Sequence, residues 1–345
     1  MAELLQTDGV GNLNGQKFSC DQRLKEKHQK KAKRQKIDVG RQREERILRA
    51  VFAVLLLSLS LGVCRAETQS PIRFGLTAVI VQEHLRFLDR WALYLSDKMD
   101  RPVKFVRRKS YREVMDLLEA GRLDFAWICG FPFIQTRDPE FLELLAVPVY
   151  KGKPLYHSYI IVPKDSPFKT LDDLKGKVFA FSDPESNSGF LYPQFLLAKR
   201  GAKPQNFFRQ TFFTYNHAET VEAVADQVAD GGAVDSYIWE YLQILRPEVA
   251  AKTRVIQKSP AFGFPPLVSH KRTEAKVVEQ MKSVLMGMSE GPAGRRFLAG
   301  FKLDTFGNFP PELFDGIGQM ANETRKALLL LASSEDRAPS ETNRK

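Results

Sequence analysis

Residues 177–200 read KVFAFSDPESNSGFLYPQFLLAKR, and this stretch decides the fold. Lys177–Phe181 is a short apolar run with two phenylalanines and a valine, the composition of a buried strand. From about Gly189 to Arg200, apolar residues return at helical spacing. Between them lies the polar loop Ser182–Ser188. A strand feeding through a short loop directly into a helix is half of a βαβ unit. The loop itself carries chemistry. Helix N-termini leave N–H groups unpaired and bear partial positive charge. Hydroxyls beside them make a pocket for a tetrahedral oxyanion. Ser186 and Ser188 offer O–H donors, and the amides of Asn187, Ser188 and Gly189 are placed to point at the same spot. The same serines serve equally well as plain N-caps.

The grammar repeats on both sides. Upstream, Ile72–Thr77 (IRFGLT) reads as a strand. Helical spacing follows over Gln82–Lys98, then a strand at Val103–Val106, a helix at Tyr111–Ala120 and a strand at Leu123–Ile128 (LDFAWI). Downstream, Tyr159–Val162, Phe212–Thr214 and Gly232–Ser236 are strand-like. His217–Val228 and Trp239–Leu245 are helical, and Val255-Ile256 reads as a strand returning to the first segment. Two helices close the chain, at about Glu274–Met288 and Pro311–Leu331. The expected fold class is α/β with two lobes, each a mostly parallel sheet flanked by helices. Ligands of such sheets bind beyond the carboxyl ends of the strands, and two facing lobes gather those ends into one cleft.

Length and charge agree with this. The chain has 345 residues, 43% hydrophobic and 27% charged, which excludes global disorder and a polytopic membrane protein. Its net charge of +11 suggests a nucleic-acid or membrane surface until the charge is located. Residues 1–66 hold 14 Lys/Arg and 7 Asp/Glu, so most of the excess sits in that leader. The leader runs from a basic stretch into Ala50–Val63 (AVFAVLLLSLSLGV), shorter than the ~20 residues of a membrane span. Cys64-Arg65-Ala66 follows, with small residues suited to cleavage before Glu67. That is the layout of a secretory signal peptide. Retention as an anchor through 50–63 and lipidation at Cys64 are the alternatives, and translation from near Val39 would remove residues 1–38. Without aromatic interleaving, no nucleic-acid role is expected.

Other polar residues sit at strand ends. His217 lies where a strand becomes a helix and can donate from a ring nitrogen. Asp235 ends GGAVDS, placed either to accept from a ligand or to cap the next helix. Tyr111, Tyr156 and Ser158 can each hydrogen-bond through a hydroxyl, and Thr77 ends the first strand. Trp127 belongs to the core. Cys129 is the sole cysteine beyond the leader; a nucleophilic Cys129/His217 pair is conceivable, but a buried thiol is the plainer reading. No P-loop, nucleophile elbow or metal-ligand spacing occurs, so no cofactor and no metal is expected.

RFGLT at 73–77, RPVKFVRRKSYREVMDLLEAGRLDFAWICG at 101–130 and DLKGKVFAFSDPESNSGFLYPQFLL at 173–197 form an ordered set. It continues with NHAETVEAVADQVADGGAVDSYIWE at 216–240 and SPAFGFPPL at 259–267. Together they resemble the phosphate/phosphite/phosphonate substrate-binding proteins of ABC transporters. The resemblance implies a type 2 periplasmic binding protein, monomeric and non-enzymatic. Such a protein closes on a small phosphorus oxyanion and passes it to an inner-membrane permease. It implies lobe 1 at 67–155, lobe 2 at 156–258 and a return to lobe 1 with C-terminal helices at 259–332; the polar composition of 333–345 reads as a disordered tail. Crossings would fall near Pro154–Tyr159 and Ile256–Pro265. Ser186, Asn187, Ser188 and His217 would hold the oxyanion. Tyr111 and Tyr156 would line the pocket, with Asp235 opposite. Three departures stand out. Asn187 replaces the usual Thr, Asn216 replaces a commoner Ser before the His, and Phe131-Pro132-Phe133 replaces a frequent P-x-x-Y. All three are expected to alter the pocket. A membrane-anchored sensor module is the alternative role.

Overall fold

The computed structural model describes residues 70–77, 85–136 and 141–335, with Lys27, Lys31, Arg46 and residues 48–51 of the leader. The expected export segment and cleavage point lie outside the described residues, as does the tail beyond Glu335. Met1–Thr68 and Gln69–Lys345 form separate units, and both sheets belong to the second.

The chain opens with β1 (Ile72–Leu76), β2 (Val103–Arg107), β3 (Phe125–Trp127) and β4 (Leu142–Val149). It crosses on β5 (Leu155–Tyr156) into β6 (Ser158–Pro163), β7 (Val178–Phe181), β8 (Gln210–Phe213), β9 (Gly231–Asp235) and β10 (Thr253–Lys258). It returns on β11 (Phe262–Gly263) to β12 (Leu267–His270) and β13 (Thr305–Gly307). One sheet has the order β13-β4-β12-β3-β1-β2, the other β10-β6-β9-β7-β8, and β11 pairs with β5 as the ribbon between them. Tyr156 lies opposite Phe262 in that ribbon.

The sheets are mixed, where the sequence suggested mostly parallel ones. β2–β1–β3 and β8–β7–β9 are the parallel cores. β12 and β6 each begin at the crossing ribbon, so they start at the cleft edge and run against the neighbours on both sides. Val255 and Ile256, read as a returning strand, lie in β10 at the edge of the second sheet. β4, β12, β13 and the helix Pro292–Phe301 are additional to the elements expected from the sequence. β4 is an interior strand, and its Pro148 lies opposite Phe306 of β13, past Ala146 where the pairing with β12 ends. The final helix, Asp315–Glu335, begins after a 3₁₀ turn at Pro311–Phe314 and runs past the expected stop. Among the described residues no helix is long and apolar enough to cross a membrane.

The first lobe is built around an aromatic cluster. The helix Leu85–Met99 buries Leu88, Trp91 and Leu95. Trp91 packs on Phe74 of β1, Phe105 of β2, Trp127 of β3 and Phe301 of the helix Pro292–Phe301, with ring centroids 4.9–6.2 Å apart. Its indole N–H has no hydrogen-bond partner. Trp91→Ala should therefore lose about 3–5 kcal/mol of stability from the emptied volume. Trp91→Phe should lose much less, because it also removes an unsatisfied polar group. Denaturant unfolding of the two variants checks the pair; equal losses would contradict it.

Candidate functional site

β7 ends at Phe181, and Ser182 anchors the loop that follows. The Ser182 hydroxyl donates to the Ala233 carbonyl at 2.8 Å and lies 3.0 Å from Thr220 Oγ1. Ser182 N–H also takes the Gly189 carbonyl, closing the loop on itself. Gly189 must be glycine: a Cβ there would stand 2.5 Å from the Ser182 Cβ. The helix does not begin as an α-helix. The amides of Leu191 and Tyr192 reach back five residues to the carbonyls of Ser186 and Asn187, one wide π-type turn, before α-helix proper at Tyr192–Ala198. Such turns recur at functional sites because they re-aim side chains.

The two serines divide their roles. Ser186 is the N-cap, its Oγ accepting from Gly189 N–H at 2.9 Å. The Ser188 hydroxyl has no partner and is buried. The Ser158 hydroxyl donates to the Ser188 carbonyl at 2.6 Å and so fixes that residue from β6. Of the three amides expected to converge, two are engaged within the protein. Asn187 N–H meets Cys129 Sγ at 3.3 Å, and Gly189 N–H meets the cap. The Asn187 side chain donates from Nδ2 to Tyr156 Oη at 2.9 Å, leaving Oδ1 buried without a donor.

His217 opens the helix His217–Ala225, which Asn216 caps by accepting from Ala218 and Glu219 N–H. Its Nδ1 accepts from Asp235 N–H at 3.0 Å, so a neutral ring carries its proton on Nε2. Nε2 lies 3.4 Å from Ser186 Oγ. Burial pushes the ring down to about 3, so it is neutral at physiological pH and a donor without charge. Asp235 caps the helix Ser236–Leu245 through Tyr237 N–H at 2.7 Å. Burial raises its carboxyl to about 8, against the bonds from Tyr237 and Ile238 N–H.

Tyr111 begins the helix Tyr111–Glu119, whose capping box uses Ser110 and Glu113. Its hydroxyl is buried without a partner, with Cys129, Asp183, Asp235 and Tyr156 around it. Thr77 donates to the Trp127 carbonyl at 2.9 Å and ties the ends of β1 and β3 together. Cys129 lies between Asn187 N–H and Tyr156 Oη, and burial pushes its thiol up to about 11. The one basic nitrogen of His217, Nδ1, is taken by Asp235 N–H, and the thiol keeps its proton, so the geometry does not favour a nucleophilic pair.

Contacts across the cleft hold it shut. Asp183 Oδ2, from the second lobe, accepts from Tyr111 N–H at 3.0 Å, and Arg112 pairs with Glu185 at 3.5 Å. On the opposite side Glu240 accepts from Tyr150, Lys151 and Tyr159. Tyr237 and Tyr241 donate to the Phe301 and Gly300 carbonyls. None of these distant pairings has a local sequence signal. Two expected pocket departures lie elsewhere. Asn216 serves its helix, and Phe133 packs on Phe314, 5.0 Å between rings, under the C-terminal helix. Asn187 alone of the three stands among the cleft hydroxyls.

A closed cleft of hydroxyls, an uncharged imidazole and an amide between two α/β lobes is the arrangement of a solute-binding protein. Residues 74–312 match the family described as ABC transporter, phosphonate, periplasmic substrate-binding protein, and the chain belongs to that family. The phosphonates-binding periplasmic protein of Escherichia coli is 27% identical over 259 residues, covering 72% of this chain and 75% of that protein. A probable ABC transporter phosphite-binding protein of Prochlorococcus marinus is 26% identical over 155 residues, covering 42% and 51%. The fold is shared with a binding-protein component of a Pseudomonas aeruginosa ABC phosphonate transporter. The TM-score is 0.72 at 23% identity, over 76% of this chain and 89% of that one. A Prochlorococcus marinus structure in complex with methylphosphonate gives a TM-score of 0.66 at 20% identity, over 74% and 98%. Membership of a transport family does not favour the sensor role.

The Asp235 carboxyl keeps its proton up to about pH 8 when folded but ionises near 3.8 when unfolded. Folding takes up a proton between those values, so stability falls as pH rises toward 8. His217 acts oppositely, its contribution falling as pH drops below 6.5. Between about pH 6.5 and 8, of these two, only Asp235 operates. The melting temperature of ligand-stripped protein should fall across that window, and Asp235→Asn should flatten the fall. Scanning calorimetry at fixed ionic strength checks it; an unchanged slope in the variant would contradict the buried, protonated carboxyl.

Proposed function

We propose that the protein, exported to the periplasm and acting as a monomer, captures a small phosphorus oxyanion in this cleft. Phosphate, phosphite and phosphonates are the candidates, and delivery is to an ABC permease of the inner membrane. One observation carries the reading: Tyr111 Oη, Asn187 Oδ1 and Ser188 Oγ are buried without partners on or beside the loop 182–189, which holds Tyr111 N–H through Asp183 and meets His217 Nε2 through Ser186. Each unpaired buried group costs about 1–3 kcal/mol. A tetrahedral oxyanion would pair with the hydroxyls and the imidazole at once. Among the described residues no lysine or arginine is buried, so the anion would be held by neutral donors and dipoles. Lobe closure removes the water that would weaken them.

The relatives bear on the ligand class. Those in Escherichia coli and Prochlorococcus marinus are named for phosphonates and phosphite, and one in Mycolicibacterium smegmatis is a phosphate-import protein. We read the site as binding and not catalytic. The thiol of Cys129 stays protonated, and the Nδ1 lone pair of His217 is occupied by a backbone N–H.

Calorimetry on protein stripped by unfolding and refolding tests this, with phosphate, phosphite, methylphosphonate, 2-aminoethylphosphonate and sulfate as titrants. Micromolar or tighter binding of a phosphorus anion is expected. Ser188→Ala and His217→Ala should each weaken it roughly 10- to 100-fold, the loss of one hydrogen bond to a charged group. No heat with any titrant, from protein shown to be folded, would overturn the reading.

A further inference from the structure

Hydroxyls and an imidazole N–H can all donate to an oxyanion, but Asn187 Oδ1 can only accept. It is buried, and its own amide nitrogen is committed to Tyr156 Oη. A fully ionised oxyanion presents only acceptors, and one set against Oδ1 would leave two lone pairs facing each other in a dry site. Building on the oxyanion reading above, we propose that Asn187 is the specificity residue. Its Oδ1 accepts the P–O–H proton of a singly ionised phosphorus oxyanion, and the site thereby rejects isosteric anions that lack this proton.

The neighbouring groups do not supply the same selection. His217 faces the cleft as a neutral donor, with Nδ1 already filled by Asp235 N–H. Cys129, at the start of the helix Gly130–Gln135, and Tyr156 on β5 touch the Asn187 backbone and side chain and hold their protons through the physiological range. The Tyr111 phenol, from the helix Tyr111–Glu119, is likewise held protonated by burial. Asp183 on the same loop is occupied by Tyr111 and Glu185 N–H. Glu185 pairs with Arg112 through Oε1, but its Oε2 is buried without a partner and burial raises the carboxyl, so Glu185→Gln is titrated as a second control in which the slope should persist. Asp235, raised to about 8, titrates closest to the ligand's range and is separated by the Asp235→Asn variant.

Methylphosphonate and methanesulfonate make the test, because the sulfonate matches the shape and single charge of the phosphonate monoanion but has no proton. The intact protein is titrated with both, and with phosphite, across the second ionisation of methylphosphonate. Expected are a Kd for methylphosphonate that rises about tenfold per pH unit above that ionisation, and methanesulfonate binding weaker by about 10- to 100-fold or more. The pH slope should persist in Asp235→Asn. Asn187→Thr, which exchanges the acceptor for a hydroxyl, should flatten the slope and narrow the gap between the two ligands. Methanesulfonate bound as tightly as methylphosphonate, or affinity flat or tightening with pH in the native protein, would overturn the role of Asn187 and leave the oxyanion reading standing. No heat with methylphosphonate, phosphite or phosphate would overturn the oxyanion reading, and this inference with it.

Discussion

Three buried polar atoms without partners, Tyr111 Oη, Asn187 Oδ1 and Ser188 Oγ, are the constraint on which the structure turns. Buried polar groups are paired in the great majority of proteins. Here each is positioned by a hydrogen-bonded neighbour. Ser158 fixes the Ser188 backbone, Tyr156 fixes the Asn187 amide, and Ser110 with Glu113 fixes the helix that starts at Tyr111. The surroundings hold the unpaired groups open instead of satisfying them. The proposed oxyanion would supply the partners they lack.

Charge is handled the same way. A buried lysine or arginine would bind an anion strongly but would itself need a partner in the empty state. In the proposed site His217 would take that place, held neutral by burial and oriented by Asp235 N–H. Asp235 in turn stays protonated and caps the helix Ser236–Leu245. The two groups are linked through one hydrogen bond, so the imidazole and the end of β9 are positioned together.

Much of this was legible in the sequence because it is local. A strand running into SDPESNSG gives the loop, and the Asn-His pair before an amphipathic run gives the second helix start. The parallel cores followed from the alternation of strands and helices. What was not legible depends on distant partners. β12 and β6 run antiparallel because the chain arrives from the crossing ribbon, which no periodicity reports. The helix Pro292–Phe301 contains two glycines and reads as a loop until Phe301 is seen packing on Trp91. Whether Ser158 donates to ligand or to the Ser188 carbonyl depends on a residue thirty positions away. The partners of Asn216 and Phe133 were hidden for the same reason: they come from a helix start and from Phe314 far along the chain.

The most direct measurement is a crystal structure of the protein with phosphite at saturating concentration. The expected result is a phosphorus centre enclosed between the lobes, with oxygens in hydrogen-bond range of Ser188 Oγ, Tyr111 Oη and His217 Nε2. An anion bound elsewhere, or a cleft in which those atoms stay unpaired while phosphite occupies another surface, would contradict it.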